Sequence, residues 1–178
     1  MSLRRPFKSA QPHQPLEAVR IADRRSTSES EWHRKTAARL FNATWKLIVK
    51  KHRSAVEVDA MIGMAHASRY HWSVVGGPQE LAVGEWQISH VYAVLDRPEP
   101  SLYHAERCLE ICQASKLGDF ALAYAYEALA RAFALAGKAR PREACLKLAK
   151  GAGAKIADAD ERAQFLRDLR TVPRTRRH

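Results

Sequence analysis

The sequence predicts an all-α protein in which about seven helices pack as stacked antiparallel hairpins. Apolar residues recur at steps of three and four, as in Trp86, Ile88, Tyr92 and Leu95, and this spacing gives a helix one apolar face. Glycine and proline interrupt the helical segments at short turns. No alternating run of β-branched residues reaches strand length, so the predicted sheet content is near zero.

The first predicted helix follows a basic N-terminal arm. Residues 1–30 contain three prolines and no sustained period, which predicts a disordered arm with at most one short turn around residues 16–23. A helix is then predicted over 32–51, with Ser28 or Ser30 as its cap, because a serine oxygen accepts from the free amides of an opening turn. The helical domain is expected to cover 31–170.

The second predicted helix covers 55 to about 74. Ser54 and Glu57 stand in the Ser-x-x-Glu pattern of a capping box, in which each side chain accepts from the backbone of the other residue. Gly76-Gly77-Pro78 ends this helix and restarts the chain as another, since glycine and proline are the strongest local breaks.

The rest of the chain divides into five more helical segments. They are predicted at 80–95, 101–115, 120–136, 142–150 and 158–169. Asp119 is the predicted N-cap of the third of these, and Gly151-Ala152-Gly153 is a predicted weak point after the fourth. Residues 171–178 are predicted to form a basic C-terminal tail.

The net charge of +11 lies at the two ends of the chain. Residues 31–53 carry seven basic groups and one acidic group, whereas residues 54–161 are slightly acidic. A basic stripe of this kind can follow phosphates without reading sequence. A solvent-exposed face of a terminal helix commonly has the same charge pattern. The candidate basic patch is Arg34, Lys35, Arg39, Lys46, Lys50, Lys51 and Arg53.

Composition also bounds the location. No run of 18 apolar residues is present, so no spanning helix is expected, and the basic N-terminus lacks the apolar region of a secretory signal. Three cysteines without framework spacing indicate a reducing setting. The expected location is therefore cytoplasmic.

An internal register appears when the chain is compared with itself at an offset of 41 residues. Leu47, Ile88 and Leu129 then coincide, and Trp45 coincides with Trp86. In the second helices Cys108 and Ala149 fall together, so small residues recur where two helices of a hairpin must approach closely. This register predicts a structural repeat.

The residues of this register resemble the tetratricopeptide repeat family. Two hairpins, over 79–151, follow the order of that family: Ile88-Ser89, Tyr92, Leu95, Ser101, Ala105 and Cys108, and then Leu129-Ala130, Phe133, Ala136-Gly137, Ala144 and Leu148. The hairpin at 32–74 departs from the pattern, since Lys51 stands where the aromatic residue belongs, and the spacing of 41 exceeds the family's 34.

The resemblance implies an α-solenoid whose first helices line a concave groove for peptides or partner proteins. Carried over residue by residue, the groove-facing positions are Trp86, His90, Tyr124, Glu127 and Arg131, with Trp45 and Val49 from the first hairpin. Glu127 and Arg131 also have the spacing of an ordinary solvated surface pair, and this second interpretation stays open.

A polar and aromatic segment at 66–72 is the main candidate for chemistry. His66, Tyr70, His71, Trp72 and Glu85 form the possible polar cluster, and a structural hydrogen-bonding role for His66, Tyr70 and Glu85 is favoured over an acid/base or metal site. His66 and His71 diverge by roughly 140° around a helix, and no His-Glu-x-x-His motif is present.

One helical stripe carries three potential metal ligands. His104, Cys108 and Cys112 are four residues apart in turn, so they spread along about 12 Å of helix and cannot all reach one ion. The sequence therefore predicts no metal, no cofactor and no catalytic residues. An enzymatic role stays as the third alternative.

These observations favour a non-enzymatic scaffold or adaptor that binds a protein or peptide partner in its groove. The alternative is a nucleic-acid or ribonucleoprotein-associated protein that acts through the basic first helix and the arginine-rich ends. Binding to a membrane surface ranks lower, because the face opposite the charges is needed for the core.

Overall fold

A computed structural model of the protein describes the backbone of residues 16–175 and the side chains of residues 27–175. This part of the chain is all-α, without a strand, as the sequence predicts. Its seven helices are α1 (Leu16–Ile48), α2 (Ala55–Val75), α3 (Pro78–Val94), α4 (Pro98–Ala114), α5 (Asp119–Leu135), α6 (Ala139–Gly153) and α7 (Ala159–Leu169).

The helices stack in chain order. Each helix packs against the next, and α3 also contacts α1 and α5, while α7 contacts α5. The odd-numbered helices therefore form one layer, and within residues 16–175 the even-numbered helices contact only their neighbours in sequence. This is the expected stack of hairpins.

Helix α1 differs from its prediction at both ends. It begins at Leu16, so residues 16–30 are helical rather than a disordered arm, and Ser28 and Ser30 lie inside the helix instead of capping it. The part of the predicted arm at 1–15 lies outside the described residues. The helix ends at Ile48 rather than Lys51, because Arg53 donates to the carbonyls of Leu47 and Ile48 there.

Side chains cap the N-termini of α2 and α7, and the first of these caps was predicted. The amide of Glu57 donates to Ser54 Oγ at 3.3 Å, and the amide of Ser54 donates to Glu57 Oε2 at 2.9 Å, which confirms the capping box of α2. Asp158 Oδ1 accepts from the amides of Asp160 and Glu161 at the start of α7. Asp119, in contrast, is the first residue of α5, and Gly118 is its cap.

Three successive helices end in the same way. The residue after each C-cap has a positive φ, 58° at Asp96, 51° at Lys116 and 71° at Gly137. The next amide then donates back to the carbonyl five residues earlier, as in Lys138 to Phe133 at 2.9 Å. These left-handed residues make α3, α4 and α5 turn sharply into the following helix.

The starts of α4 and α6 lie three residues before the predicted positions. Pro98 and Pro100 belong to the first turn of α4, and Pro141 belongs to that of α6. Proline is tolerated there because the first amides of a helix have no partner inside it. Residues 151–153, the predicted weak point, remain helical.

Small side chains make up most of the buried positions of α5. Seven alanines of α5 are buried, which lets its neighbours approach closely. Between α3 and α4, Ser89 Oγ donates to the carbonyl of Ser101 at 2.8 Å and Ser101 Oγ donates to the carbonyl of Ser89 at 3.0 Å. This reciprocal pair satisfies both buried hydroxyls without adding bulk.

The start of the predicted C-terminal tail packs onto the helices. Val172 is buried, and Arg142 Nε donates to the carbonyl of Pro173 at 2.8 Å. Residues 176–178 of that tail lie outside the described residues. Across residues 16–175, no helix combines the length and the apolar character needed to cross a membrane.

Candidate functional site

The layer of odd-numbered helices presents one aromatic stripe. Trp45 of α1 and Trp86 of α3 have ring centroids 5.4 Å apart, and Trp86 lies 5.1 Å from Tyr124 of α5 in an edge-to-face arrangement. The first pair is separated by 41 residues in sequence. These two indoles, on α1 and α3, therefore lie side by side.

A cleft of about 670 Å³ opens beside this stripe. Its wall contains six of the seven predicted groove residues, Trp45, Val49, Trp86, His90, Glu127 and Arg131. It also contains Phe41, Ile48 and Val94, together with Gln164, Asp168 and Thr171 from the C-terminal end. Most of this wall is aromatic or aliphatic, so the cleft suits an apolar ligand surface.

A buried ion pair forms the floor of the cleft. Glu127 is 1% exposed and Arg131 is 8% exposed, so the interpretation of this pair as a solvated surface pair is wrong. Arg131 Nε donates to Glu127 Oε1 at 3.0 Å, and Trp86 Nε1 donates to Glu127 Oε2 at 3.3 Å. Both carboxylate oxygens therefore have partners, which a buried charge requires.

The guanidinium of Arg131 also ties the C-terminal segment to α5. Its Nη2 donates to Thr171 Oγ1 at 2.7 Å, and its Nη1 donates to the Thr171 carbonyl at 3.3 Å. Arg131 therefore joins α5 to the residues that follow α7. The cleft gains its third wall through this contact.

His90 is held as a neutral imidazole between two indoles. Its ring centroid lies 5.4 Å from that of Trp45 and 5.8 Å from that of Trp86. Burial and then the nearby positive charge of Arg131 lower its pKa to about 3. At neutral pH His90 therefore adds a polar but uncharged surface to the cleft.

Tyr124 lies outside the cleft, in the wall of an adjoining cavity of about 210 Å³. Its hydroxyl donates to Asp168 Oδ2 at 2.7 Å, so the ring is fixed from the α7 side. Burial, followed by this hydrogen bond, raises the pKa of Tyr124 well above its usual range. Trp86 lines both the cavity and the cleft, so the two adjoin at its indole.

The predicted polar cluster does not form one group. His66 Nε2 is 3.2 Å from the Tyr92 hydroxyl, and Tyr70 is 61% exposed, so neither bonds to Glu85. Trp72 lies elsewhere, in the wall of a third cavity beside α1 and α3. The predicted structural hydrogen-bonding role is therefore confirmed for His66 and Glu85, with partners outside the cluster, whereas the Tyr70 ring is exposed.

Glu85 has other partners, which sequence reasoning missed. Arg69 Nε donates to its Oε1 at 3.0 Å, and His104 Nδ1 lies 2.7 Å from its Oε2. Burial works to raise the pKa of Glu85, but the contacts with His104 and Arg69 outweigh it and lower that pKa. This network joins α2, α3 and α4 and stabilises the stack.

His71 pairs with a histidine that the sequence analysis did not single out. Its Nδ1 lies 2.8 Å from Nδ1 of His33, across α1 and α2. Such a bond needs one N–H and one lone pair, so the two rings cannot both be positively charged imidazolium ions while it persists. Burial, and then the proximity of His33, lower the pKa of His71.

The seven basic residues of the candidate patch divide into two groups. Lys35 pairs with Glu31, Lys50 pairs with Glu57, and Arg53 caps α1. The other four, Arg34, Arg39, Lys46 and Lys51, are exposed and have no ion-pair partner among the described side chains. Lys46 and Arg39 lie about 100–120° around α1 from Trp45, so they form a basic rim beside the cleft.

The contribution of the C-terminal end to the cleft was also missed. Gln164, Asp168 and Thr171 follow the region in which the 41-residue register is visible, so no repeat position indicated them. The partial signal was the amphipathic pattern of 158–169, which predicts a packed helix but not the helix it contacts.

The cysteines and their neighbours form no metal site. Cys108 and Cys112 are both buried free thiols of α4, and His104 is engaged with Glu85. In the described part of the chain, no group of three or more His, Cys, Asp or Glu side chains is placed to hold a metal ion.

Neither a protein-family model, nor a curated protein, nor a solved structure matches the chain.

Proposed function

We propose that this protein is a non-enzymatic scaffold or adaptor that binds a peptide or protein partner in the cleft between α1, α3, α5 and the C-terminal end. The observation that carries the proposal is the continuous aromatic stripe of Trp45, Trp86 and Tyr124 beside an open cleft. Aromatic anchors in a formed groove supply most of the binding energy in complexes of this kind.

The rigidity of the cleft supports the same function. Its floor is held by the Glu127–Arg131 pair, and its two indoles and His90 pack against one another. A groove that is already formed loses little conformational entropy when a ligand binds. The proposed tetratricopeptide-like arrangement, in which first helices line a concave face, agrees with this use of α1, α3 and α5.

The chemistry of the cleft favours binding over catalysis. Glu127 accepts from two side chains, Asp168 accepts from Tyr124, and His90 is a weak base with its pKa near 3. A general base needs a pKa near the working pH and a free lone pair toward the substrate. The two carboxylates already accept hydrogen bonds from neighbouring side chains, and the His90 imidazole is too weak a base to take a proton near neutral pH.

A matched pair of valines tests the proposal. Val49 is 76% exposed and lines the cleft, whereas Val56 is 77% exposed at the start of α2 and lies away from it. Val49→Glu should abolish capture of the partner from a native lysate, because it places a charge in the apolar wall. Val56→Glu should leave capture unchanged, and both variants should melt close to the parent protein.

Repeating the capture with nuclease and at higher salt distinguishes binding in the cleft from the alternative, binding to nucleic acid. Capture through the cleft should survive nuclease treatment and an increase from 50 to 200 mM salt. Binding through the basic rim to phosphates would fall steeply with salt and disappear with nuclease. Loss of all captured protein on nuclease treatment, with equal behaviour of the two valine variants, would contradict the cleft proposal.

A further inference from the structure

We infer that the cavity between α3, α4 and α5 receives one phenylalanine or tryptophan side chain of an acidic peptide bound in the cleft. The inference deepens the proposed function and rests on it. The cavity lies at the beginning of α3 and α5, on the faces that form the cleft further along the same helices.

The lining of the cavity selects an apolar ring. Three aromatic side chains surround it, Trp86, Phe120 and Tyr124, and the Phe120 and Tyr124 rings lie 5.0 Å apart. The remaining wall is Ala82, Val83, Ala121 and Cys108, with Gln79 at the exposed edge. Aromatic edges and faces of this kind favour a further aromatic ring.

The size of the cavity is that of a ring with its linker. An apolar cavity of about 150 Å³ stays dry and binds benzene. The present cavity, at about 210 Å³, has room for a larger group, such as a phenyl ring with its methylene or an indole. The Tyr124 hydroxyl gives its proton to Asp168, so apart from Gln79 at the exposed edge the wall has no free strong donor, and a ligand hydroxyl would not recover all of its hydrogen bonds to water. The site should therefore disfavour tyrosine.

The charge of the ligand follows from the neighbouring rim. The third cavity, of about 260 Å³ and lined by Trp72, shares Gln79 and Val83 with the first and reaches Ala38 and Asn42 of α1. Its one acidic side chain, Glu80, accepts from the Gly77 amide at 2.8 Å. Arg39, next to Ala38, is exposed and has no ion-pair partner within residues 27–175. Lys46 continues this edge one turn beyond Asn42. Acidic residues next to the aromatic anchor would complement both charges.

The test starts from a random dodecapeptide library selected on the full chain. Selected peptides should share one phenylalanine or tryptophan with nearby aspartate or glutamate. Replacing that aromatic residue with alanine should weaken binding at least about tenfold, the effect of removing one buried aromatic side chain. Replacing it with tyrosine should also weaken binding, because the hydroxyl would lose its water without gaining a partner.

Cavity-filling variants connect the peptide residue to this site. Ala121→Leu and Val83→Phe each fill part of the cavity, and Ala139→Leu, on an exposed position of α6, is the control. Each filling variant should weaken binding of the parent peptide at least about tenfold and barely change binding of the alanine-substituted peptide. The control should change neither. Two filling variants are included so that the test remains if one of them fails to fold.

The inference and the proposed function fail differently. If Val49→Glu abolishes binding of the selected peptides but neither cavity-filling variant does, the anchor site is wrong and the cleft function stands. Titration with indole alone should shift the indole N–H resonance of Trp86, and the filling variants should abolish that shift. Indole binding without any selected peptide would overturn both the peptide ligand and the scaffold function. Absence of any shift on adding indole would overturn the anchor site.

Discussion

Trp86 donates its indole N–H to the carboxylate of Glu127, which lies 41 residues further along the chain, at 3.3 Å. One bond therefore joins the aromatic stripe to the buried ion pair and α3 to α5. The same indole lines both the cleft and the cavity. Trp86 therefore contributes both to the stability of the fold and to the proposed binding surface.

Trp86→Phe removes the donor to Glu127 but keeps an aromatic ring. We expect it to lower the free energy of unfolding by about 1.5–3 kcal/mol more than Trp45→Phe does, because one oxygen of a buried carboxylate loses its partner. Trp45→Phe is the matched control, since no hydrogen bond from the Trp45 indole is present in the described structure. Urea denaturation of both variants measures the difference, and equal losses would show that the hydrogen bond contributes nothing.

Glu127→Gln should be strongly destabilising, because it leaves Arg131 as a buried charge without its counterion. The expected loss is about 3–5 kcal/mol. The double variant Glu127→Met with Arg131→Met should recover most of this loss, since no unpaired charge remains. Chemical denaturation measures both. A double variant that is as unstable as Glu127→Gln would contradict the role of the pair as a mutually neutralised charge.

His90 makes the stability of the protein depend on pH. Its pKa is depressed to about 3 in the folded protein, so the unfolded chain binds a proton at a higher pH than the folded chain. The contribution is fully present above about pH 6.5 and is lost as the pH falls from there toward 3, by up to about 1.4 kcal/mol per pH unit.

The parent protein and a His90→Gln variant should therefore differ in their dependence on pH. We expect the free energy of unfolding of the parent to fall more steeply between pH 6.5 and 5 than that of the variant. The difference between the two curves removes the contribution of the carboxylates, which both proteins share. Parallel curves would show that His90 titrates normally in the folded protein.

Gly153 and Gly151 form a matched pair within one helix. A Cβ at residue 153 would lie 2.6 Å from Cδ1 of Phe165, whereas a Cβ at residue 151 would meet nothing within 4 Å. Gly153→Ala should destabilise by about 1–3 kcal/mol, because a fully buried ring must move. Gly151→Ala should stabilise by about 0.5–1 kcal/mol through helix propensity alone.

Thermal and urea denaturation of the two glycine variants measure how α7 is docked. Gly153→Ala should also loosen the contact that carries Asp168 and Thr171 into the cleft. A neutral Gly153→Ala would mean that Phe165 repacks freely and that α7 is not held by this approach.

Local features of this protein could be predicted because they depend on residues near each other in the chain. The Ser54–Glu57 capping box, the turn at residues 76–78 and the spacing of the helices all follow from contacts within a few residues. The predicted starts of α4 and α6 were wrong by three residues, because the prolines there were interpreted as breaks. Proline is in fact compatible with the first turn of a helix.

The stripe of the candidate site was predictable in part. An offset of 41 residues brought Trp45 and Trp86 into register, and these rings pack together. A residue's environment was harder to predict. Glu127 and Arg131 have the spacing of a surface pair, yet both are buried, because α3 and the segment after α7 cover them.

By itself the sequence determined the order of the helices and which of their faces are apolar, because periodicity and capping act over one or two turns of chain. Only the tertiary structure decided which polar groups meet. His71 pairs with His33, Glu85 with Arg69 and His104, and Arg131 with Thr171. These partners lie 16 to 40 residues apart, and their distances depend on how whole helices rotate and pack, which no local pattern encodes.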